Sequence, residues 1–247
     1  MNVKNEIIEL LNNQKEIFGD YLYTSIKLGE IKYQKEVKET LKVSDSKKEK
    51  VKGVYSISQF EHISNLNDFN NEINTCQLCG LGETRNKFVF GVGNPNADLL
   101  LIGEAPGAEE DKQGIPFVGR AGKLLTDILK AINFERDDIY IANILKCRPP
   151  NNRDPKPTER EVCKPYLYKQ IDLIKPKVIL CLGKVAANVM FNNTESLTKM
   201  RGSVHELNGI KTMVTYHPAA LLRNPNWKKP TWEDVQKLRK LYDTLVS

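Results

Sequence analysis

Asp98 to Gly107 reads DLLLIGEAPG: four apolar residues closed by glycine, then a short loop with a carboxylate, a proline and a second glycine. An apolar run of this length between polar and glycine punctuation is the pattern of a strand buried on both faces. Three further runs share it: Asp138 to Leu145 (DIYIANIL), Val178 to Gly183 (VILCLG) and Thr212 to Tyr216 (TMVTY). Helical patterns separate and follow them. Gly122 to Ile132 places Leu124, Leu125, Ile128 and Leu129 at helical spacing, and Thr158 to Ile174 opens with Thr158-x-x-Glu161, a capping-box pattern. Lys184 to Phe191 follows the third run, and a last helix is expected from Thr231 to Leu245. The alternation predicts an α/β fold, a three-layer α/β/α sandwich with a mainly parallel sheet of about four strands. Ligands of such sheets bind beyond the carboxyl ends of the strands, so the residues there are the candidates for function.

Outside this region the chain changes character. Of 247 residues with a formal net charge of +6, residues 1–70 hold 11 Lys and 11 acidic residues, whereas residues 71–247 hold 26 basic and 20 acidic ones and carry all of the excess. The first part, with apolar Ile7, Ile8, Leu10 and Leu11, a mixed helical stretch to Leu41 and a charged run from Ser44, reads as a helical appendage and flexible linker. Two regions are expected: the appendage 1–70, free to contact a replication or repair protein, and a catalytic domain 71–247. No run approaches the roughly 18 apolar residues of a membrane span, and the amino terminus has no secretory core, so membrane insertion and export are not expected and a cytoplasmic location is.

Five cysteines stand at 76, 79, 147, 163 and 181. Cys181 lies inside the run VILCLG and reads as a buried small hydrophobe. The other four lie in polar, Pro-rich or Gly-rich surroundings, and Cys76-x-x-Cys79 is a chelating pattern. An odd count without an export signal argues against disulfides. Four thiolates suit zinc or an iron–sulfur cluster; the 15-residue gap between Cys147 and Cys163 is unlike a repeated zinc knuckle and tilts the choice toward iron–sulfur.

The strand-end sequences exclude other chemistries. Gly114 to Gly119 is followed by Arg120-Ala121 where a phosphate-binding loop needs Lys and Ser or Thr, and Gly91-Val-Gly93 lacks the third glycine of a dinucleotide fingerprint. What the strand ends do carry is GEAPG (103–107), PFVGRAG (116–122), Asn143-x-x-Lys-Cys-Arg-Pro-Pro150 and His217-Pro-x-x-x-x-Arg223. Together with the four cysteines these closely resemble the family 4 uracil-DNA glycosylases, from about Asn74 to Val246.

The resemblance implies removal of uracil from DNA, a structural 4Fe-4S cluster on Cys76, Cys79, Cys147 and Cys163, and a monomer acting on uracil-containing DNA. The residue chemistry agrees with it. Phe117 offers a stacking face for a flipped base, and Asn143 can accept and donate at once, as the edge of uracil requires. His217 can donate to uracil O2, where charge develops as the glycosidic bond breaks. Glu104 is the carboxylate nearest a water nucleophile and Ala105 stands beside it; other superfamily members place an Asp at the latter position. Leu221, Leu222 and Arg223 are candidates to enter the base stack, and Arg120 and Lys123 to meet phosphates. A basic strip from Arg120 through Lys146, Arg148 and Arg223 to Lys229 is expected around the pocket. The alternatives are a noncatalytic, metal-stabilised DNA-binding module and a glycosylase of broader base specificity.

Overall fold

The computed structural model describes residues 57–246 and, ahead of them, Lys15. The helical pattern at Ile7 to Leu41 and the charged run from Ser44 lie outside the described residues. Six strands form one sheet: β1 (Val92–Gly93), β2 (Leu99–Gly103), β3 (Tyr140–Asn143), β4 (Val178–Leu182), β5 (His205–Leu207) and β6 (Ile210–Thr215), in the order β1-β3-β2-β4-β6-β5. The central four run parallel and are the four apolar runs of the sequence. Two short antiparallel strands extend the edges. With two and three residues they are too brief to show a periodicity, which is why the sequence yields four strands and the described residues six. Glycine makes the first edge possible, since a Cβ on Gly93 would sit 1.9 Å from the Ile139 carbonyl oxygen.

Alternation along each strand divides the core in two. Leu100 and Ile102 of β2, Ile179 and Cys181 of β4 and Val214 of β6 face one layer, in which α1 (Leu66–Ile73), α5 (Pro157–Ile174) and α6 (Lys184–Phe191) lie. Leu99 and Leu101, then Val178, Leu180 and Leu182, face the other, built on α4 (Arg120–Lys130) and α9 (Lys228–Val246). Burial on both faces explains why the strands are apolar throughout, and it makes the architecture the three-layer sandwich. Short helices α2 (Leu81–Thr84), α3 (Ala108–Gln113), α7 (Leu197–Met200) and α8 (Pro218–Arg223) fill the connections. The helices begin within a few residues of their expected starts. The start of α5 differs in its chemistry: Thr158 lies inside the helix, and Glu159 rather than Glu161 caps it, accepting the Lys156 N–H at 2.8 Å.

The folded body begins before residue 71. Phe60, Ile63, Leu66 and Phe69 are buried in the first core layer, and the Phe60 ring meets those of Phe69 (5.1 Å) and Tyr166 (5.7 Å). Residues 57–70 therefore belong to the same body as the sheet, a shift of the expected boundary. The signal is in the sequence, since Phe60, Ile63, Leu66, Phe69 and Ile73 recur at three- and four-residue spacing, but the charge balance averaged over residues 1–70 hides it. Among the described residues no helix is long and apolar enough to cross a membrane.

Candidate active site

A cavity of about 360 Å³ opens at the carboxyl ends of the parallel strands. Each wall is a residue that follows or ends a strand: Glu104 and Ala105 after β2, Asn143 closing β3, and His217 two residues after β6. Phe117 enters from the loop before α4, and Arg223 from the end of α8. The fold thus brings together five of the expected substrate-contacting and catalytic residues and one of the DNA-binding ones.

Phe117 is held in an unusual conformation. Its φ is 54°, a left-handed value that a bulky side chain adopts only when its surroundings enforce it. Arg136 supplies part of that enforcement, donating to the Phe117 carbonyl at 3.1 Å and the Pro116 carbonyl at 2.9 Å. Glu110 supplies the rest: one carboxylate oxygen accepts the N–H groups of Val118 and Gly119 at 2.9 Å each, and the other accepts that of Gly107 at 3.1 Å. Gly122 leaves the necessary room, because a Cβ there would lie 1.9 Å from the Phe117 carbonyl oxygen. The ring comes to rest 5.5 Å from that of His217. Gly103 makes space for the opposite pair: its absent Cβ would stand 2.3 Å from Asn143 Oδ1 and 2.7 Å from the Phe117 ring.

Asn143 is 2% exposed, and its Oδ1 has no hydrogen-bond partner. An unpaired buried acceptor costs about 1–3 kcal/mol, a cost that a donor from a ligand in the adjoining cavity would relieve. His217 is half-buried at the start of α8, where its Nδ1 accepts the Ala219 N–H at 3.2 Å. Burial, reinforced by the Arg223 guanidinium and opposed by Glu110, pushes its pKa down to about 4. The ring is therefore neutral at pH 7. With Nδ1 accepting, its proton resides on Nε2, so that atom is a donor. The strand below it is anchored: Thr215 donates to Asp234 at 2.8 Å, Arg201 binds the same carboxylate at 3.0 Å through two nitrogens, and Tyr216 stacks on Trp227 at 4.8 Å. Glu104 is half-buried; burial foremost, then Asp154, raises its carboxyl above the ordinary range, against Arg160.

Arg120, Lys123 and Leu222 lie outside the cavity and are exposed, on α4 and the adjacent α8. Leu221 is buried in the second core layer, which leaves Leu222 as the apolar tip of that helix. The expected basic strip loses one member, because Lys146 is fully buried and donates inward to the Asn143 carbonyl and to Gln170. Charge alone gave no hint of that direction. Glu110, Arg136 and Gln170 were also beyond the reach of the sequence, and Gly122 was visible only as part of a motif. Only the three-residue step from Gly107 to Glu110, a capping spacing, could have pointed to one of them.

All five cysteines are free thiols, and Cys181 is fully buried in β4 as expected. The other four share one neighbourhood: Cys147 interacts electrostatically with Cys76 and Cys79, and Cys163 with Cys147 and Cys76. Three of their sulfurs already accept hydrogen bonds, Cys76 from the Tyr166 hydroxyl (3.2 Å), Cys147 from Arg85 (3.3 Å) and Cys163 from the Lys146 N–H (3.3 Å). Donors aimed at sulfur are what thiolate ligands of a metal centre require. Among the described residues, no three His, Cys, Asp or Glu side chains are drawn together as a single-ion site.

The structure defines an α/β protein with a cavity at the carboxyl ends of its parallel strands, walled by an aromatic ring, a neutral His and an Asn whose Oδ1 is unpaired, and comparison with known proteins gives the class. Residues 90–238 match the family model described as the uracil DNA glycosylase superfamily. A type-4 uracil-DNA glycosylase of Archaeoglobus fulgidus is 44% identical over 187 residues, covering 72% of this chain and 94% of the relative. Those of Sulfurisphaera tokodaii and Saccharolobus solfataricus are 45% and 44% identical, each covering 72% of this chain and 86% of the relative. The chain belongs to the uracil-DNA glycosylase superfamily, hydrolases of N-glycosyl bonds, and within it to the type-4 branch.

Proposed function

We propose that the cavity takes a uracil swung out of DNA and that the chain hydrolyses its N-glycosidic bond, leaving an abasic site for base-excision repair. The observation that carries this reading is the unpaired, buried Oδ1 of Asn143 in a cavity shared with Phe117 and His217. Uracil N3–H donates to that oxygen, and uracil O4 accepts from the Asn143 Nδ2. Cytosine presents the reverse pattern and is rejected because it leaves both amide atoms unpaired. Phe117 covers the face of the base. His217 Nε2–H donates to O2 as the base departs with the bonding electrons, stabilising the anion without giving up its proton. Glu104 orients the water that adds to the sugar C1′, and Ala105 leaves room for it. Leu222 fills the gap in the stack, while Arg120, Lys123 and Arg223 meet phosphates.

Cys76, Cys79, Cys147 and Cys163 would hold a 4Fe-4S cluster, which supplies cross-linking of the segments flanking the sheet rather than chemistry on the base. The hydrogen bonds to three of the sulfurs support this assignment. The protein works as a monomer in the cytoplasm, and a contact with a replication or repair protein falls to the amino-terminal region, residues 1–70.

Two assays test the reading. Purified protein incubated with uracil-containing single-stranded and duplex oligonucleotides yields alkali-labile abasic sites; none from iron-loaded wild type rejects the activity. Anaerobically purified protein absorbs near ~400 nm. Colourless protein with stoichiometric zinc rejects the cluster and leaves the activity standing.

A further inference from the structure

Lys146 is fully buried beside the Cys163 and Cys147 thiols, and among the described residues no carboxylate pairs with it. Its Nζ donates to the Asn143 carbonyl at 2.9 Å and to Gln170 Oε1 at 2.5 Å. Gln170, also fully buried, donates its Nε2 to the Phe90 carbonyl at 3.0 Å, so the chain of bonds ends on backbone in the layer beneath the pocket. A buried ammonium without a carboxylate is costly, and a methionine would fill similar volume without that cost. What the lysine provides and methionine lacks is a directed donor onto the residue that reads the base. Asn143 closes β3, where the chain turns toward Cys147. There the Ile144 N–H still reaches the Gly103 carbonyl at 2.9 Å, and the peptide between Asn143 and Ile144 sets where the Asn143 side chain stands.

We propose that Lys146, anchored by Gln170, is a positioning residue that fixes the Asn143 backbone and thereby the amide that recognises uracil. The inference rests on the proposed activity. A shift of about 1 Å in a recognition group costs about 10²-fold, so the effect falls on base recognition and the chemical step, not on DNA affinity, which phosphate contacts dominate.

Uracil excision by wild type is measured first, and the failure of the activity would show there. Lys146→Met is then compared with Asn143→Ala and the double variant, with iron content and thermal transition recorded for each. Expected for Lys146→Met at full iron content are a kcat lowered at least about 10-fold, an unchanged KM for DNA, and a Ki of free uracil as product inhibitor raised about 10-fold. In the Asn143→Ala background the same substitution causes no further loss. Additive losses, or an unchanged Ki for uracil, overturn the proposal. Should Lys146→Met not fold, Gln170→Leu decides, because it removes the acceptor for Nζ while Lys146 stays in place: it raises the Ki of uracil. A wild-type Ki in Gln170→Leu overturns the proposal as well.

Discussion

At the scale of single residues, the pocket works through protonation states and unpaired atoms that sequence alone does not display. That Asn143 and His217 stand at strand ends was legible, because a polar residue there is conspicuous beside apolar runs, and Phe117 was legible as an aromatic in a loop rich in Gly and Pro. That the His217 ring is neutral was not, because it follows from burial and the Arg223 charge. The neutral ring predicts kcat/KM without an inflection near 6.5, the ordinary His value, and an acid limb set by Glu104, whose raised pKa brings protonation on at a higher pH than for a free carboxylate. Glu104→Gln removes that limb; a pH profile from 4.5 to 8.5 checks both statements. Stability follows with its own sign. The unfolded His217 takes up a proton below about 6.5 and the folded one only below about 4, so His217 costs no stability above 6.5 and an increasing amount as pH falls from there to 4. Denaturant titrations of wild type and His217→Asn across that window measure it. At Asn143 the substitution to Asp puts an acceptor where a donor must meet uracil O4, and uracil excision falls by at least about 10²-fold with DNA binding retained.

At the scale of elements, the loop from Gly103 to Gly122 is a shaped object. Its glycines were visible in the sequence as punctuation, but their purpose, space for Phe117 and Asn143, depends on contacts between segments far apart in the chain. Gly103→Ala drives a methyl group into the Asn143 amide and the Phe117 ring; excision falls by about 10²-fold or more while the thermal transition moves little, because both neighbours yield into the cavity. Gly122→Ala meets backbone instead and destabilises the protein, a contrast read by differential scanning calorimetry beside the excision rate. Arg136→Leu releases the Pro116 and Phe117 carbonyls, so the strained backbone relaxes. Its signature is a lower kcat with unchanged iron content.

At the scale of the whole molecule, the four central strands and the helices over them were legible because burial on both faces imposes unbroken apolar runs. The edge strands were not, being two and three residues long. The amino-terminal limit of the body was missed although Phe60, Ile63, Leu66 and Phe69 stand three residues apart, since what proves their burial, the Tyr166 ring, lies about a hundred positions onward. Tyr166 also donates to Cys76, which links that corner of the core to the cysteine cluster. Removal of residues 1–70 therefore lowers the melting temperature and the iron retained, as melting curves and iron assays on the truncated chain will show.

The central claim is that Asn143 and His217 act on one flipped uracil in this cavity. Single-turnover excision from a uracil-containing oligonucleotide tests it, using folded, iron-loaded wild type, Asn143→Ala, His217→Ala and the double variant. The account predicts rapid release of uracil by wild type, a loss of about 10²-fold or more in each single variant, and oligonucleotide affinity within about twofold of wild type throughout. Excision at the wild-type rate by either single variant would contradict it.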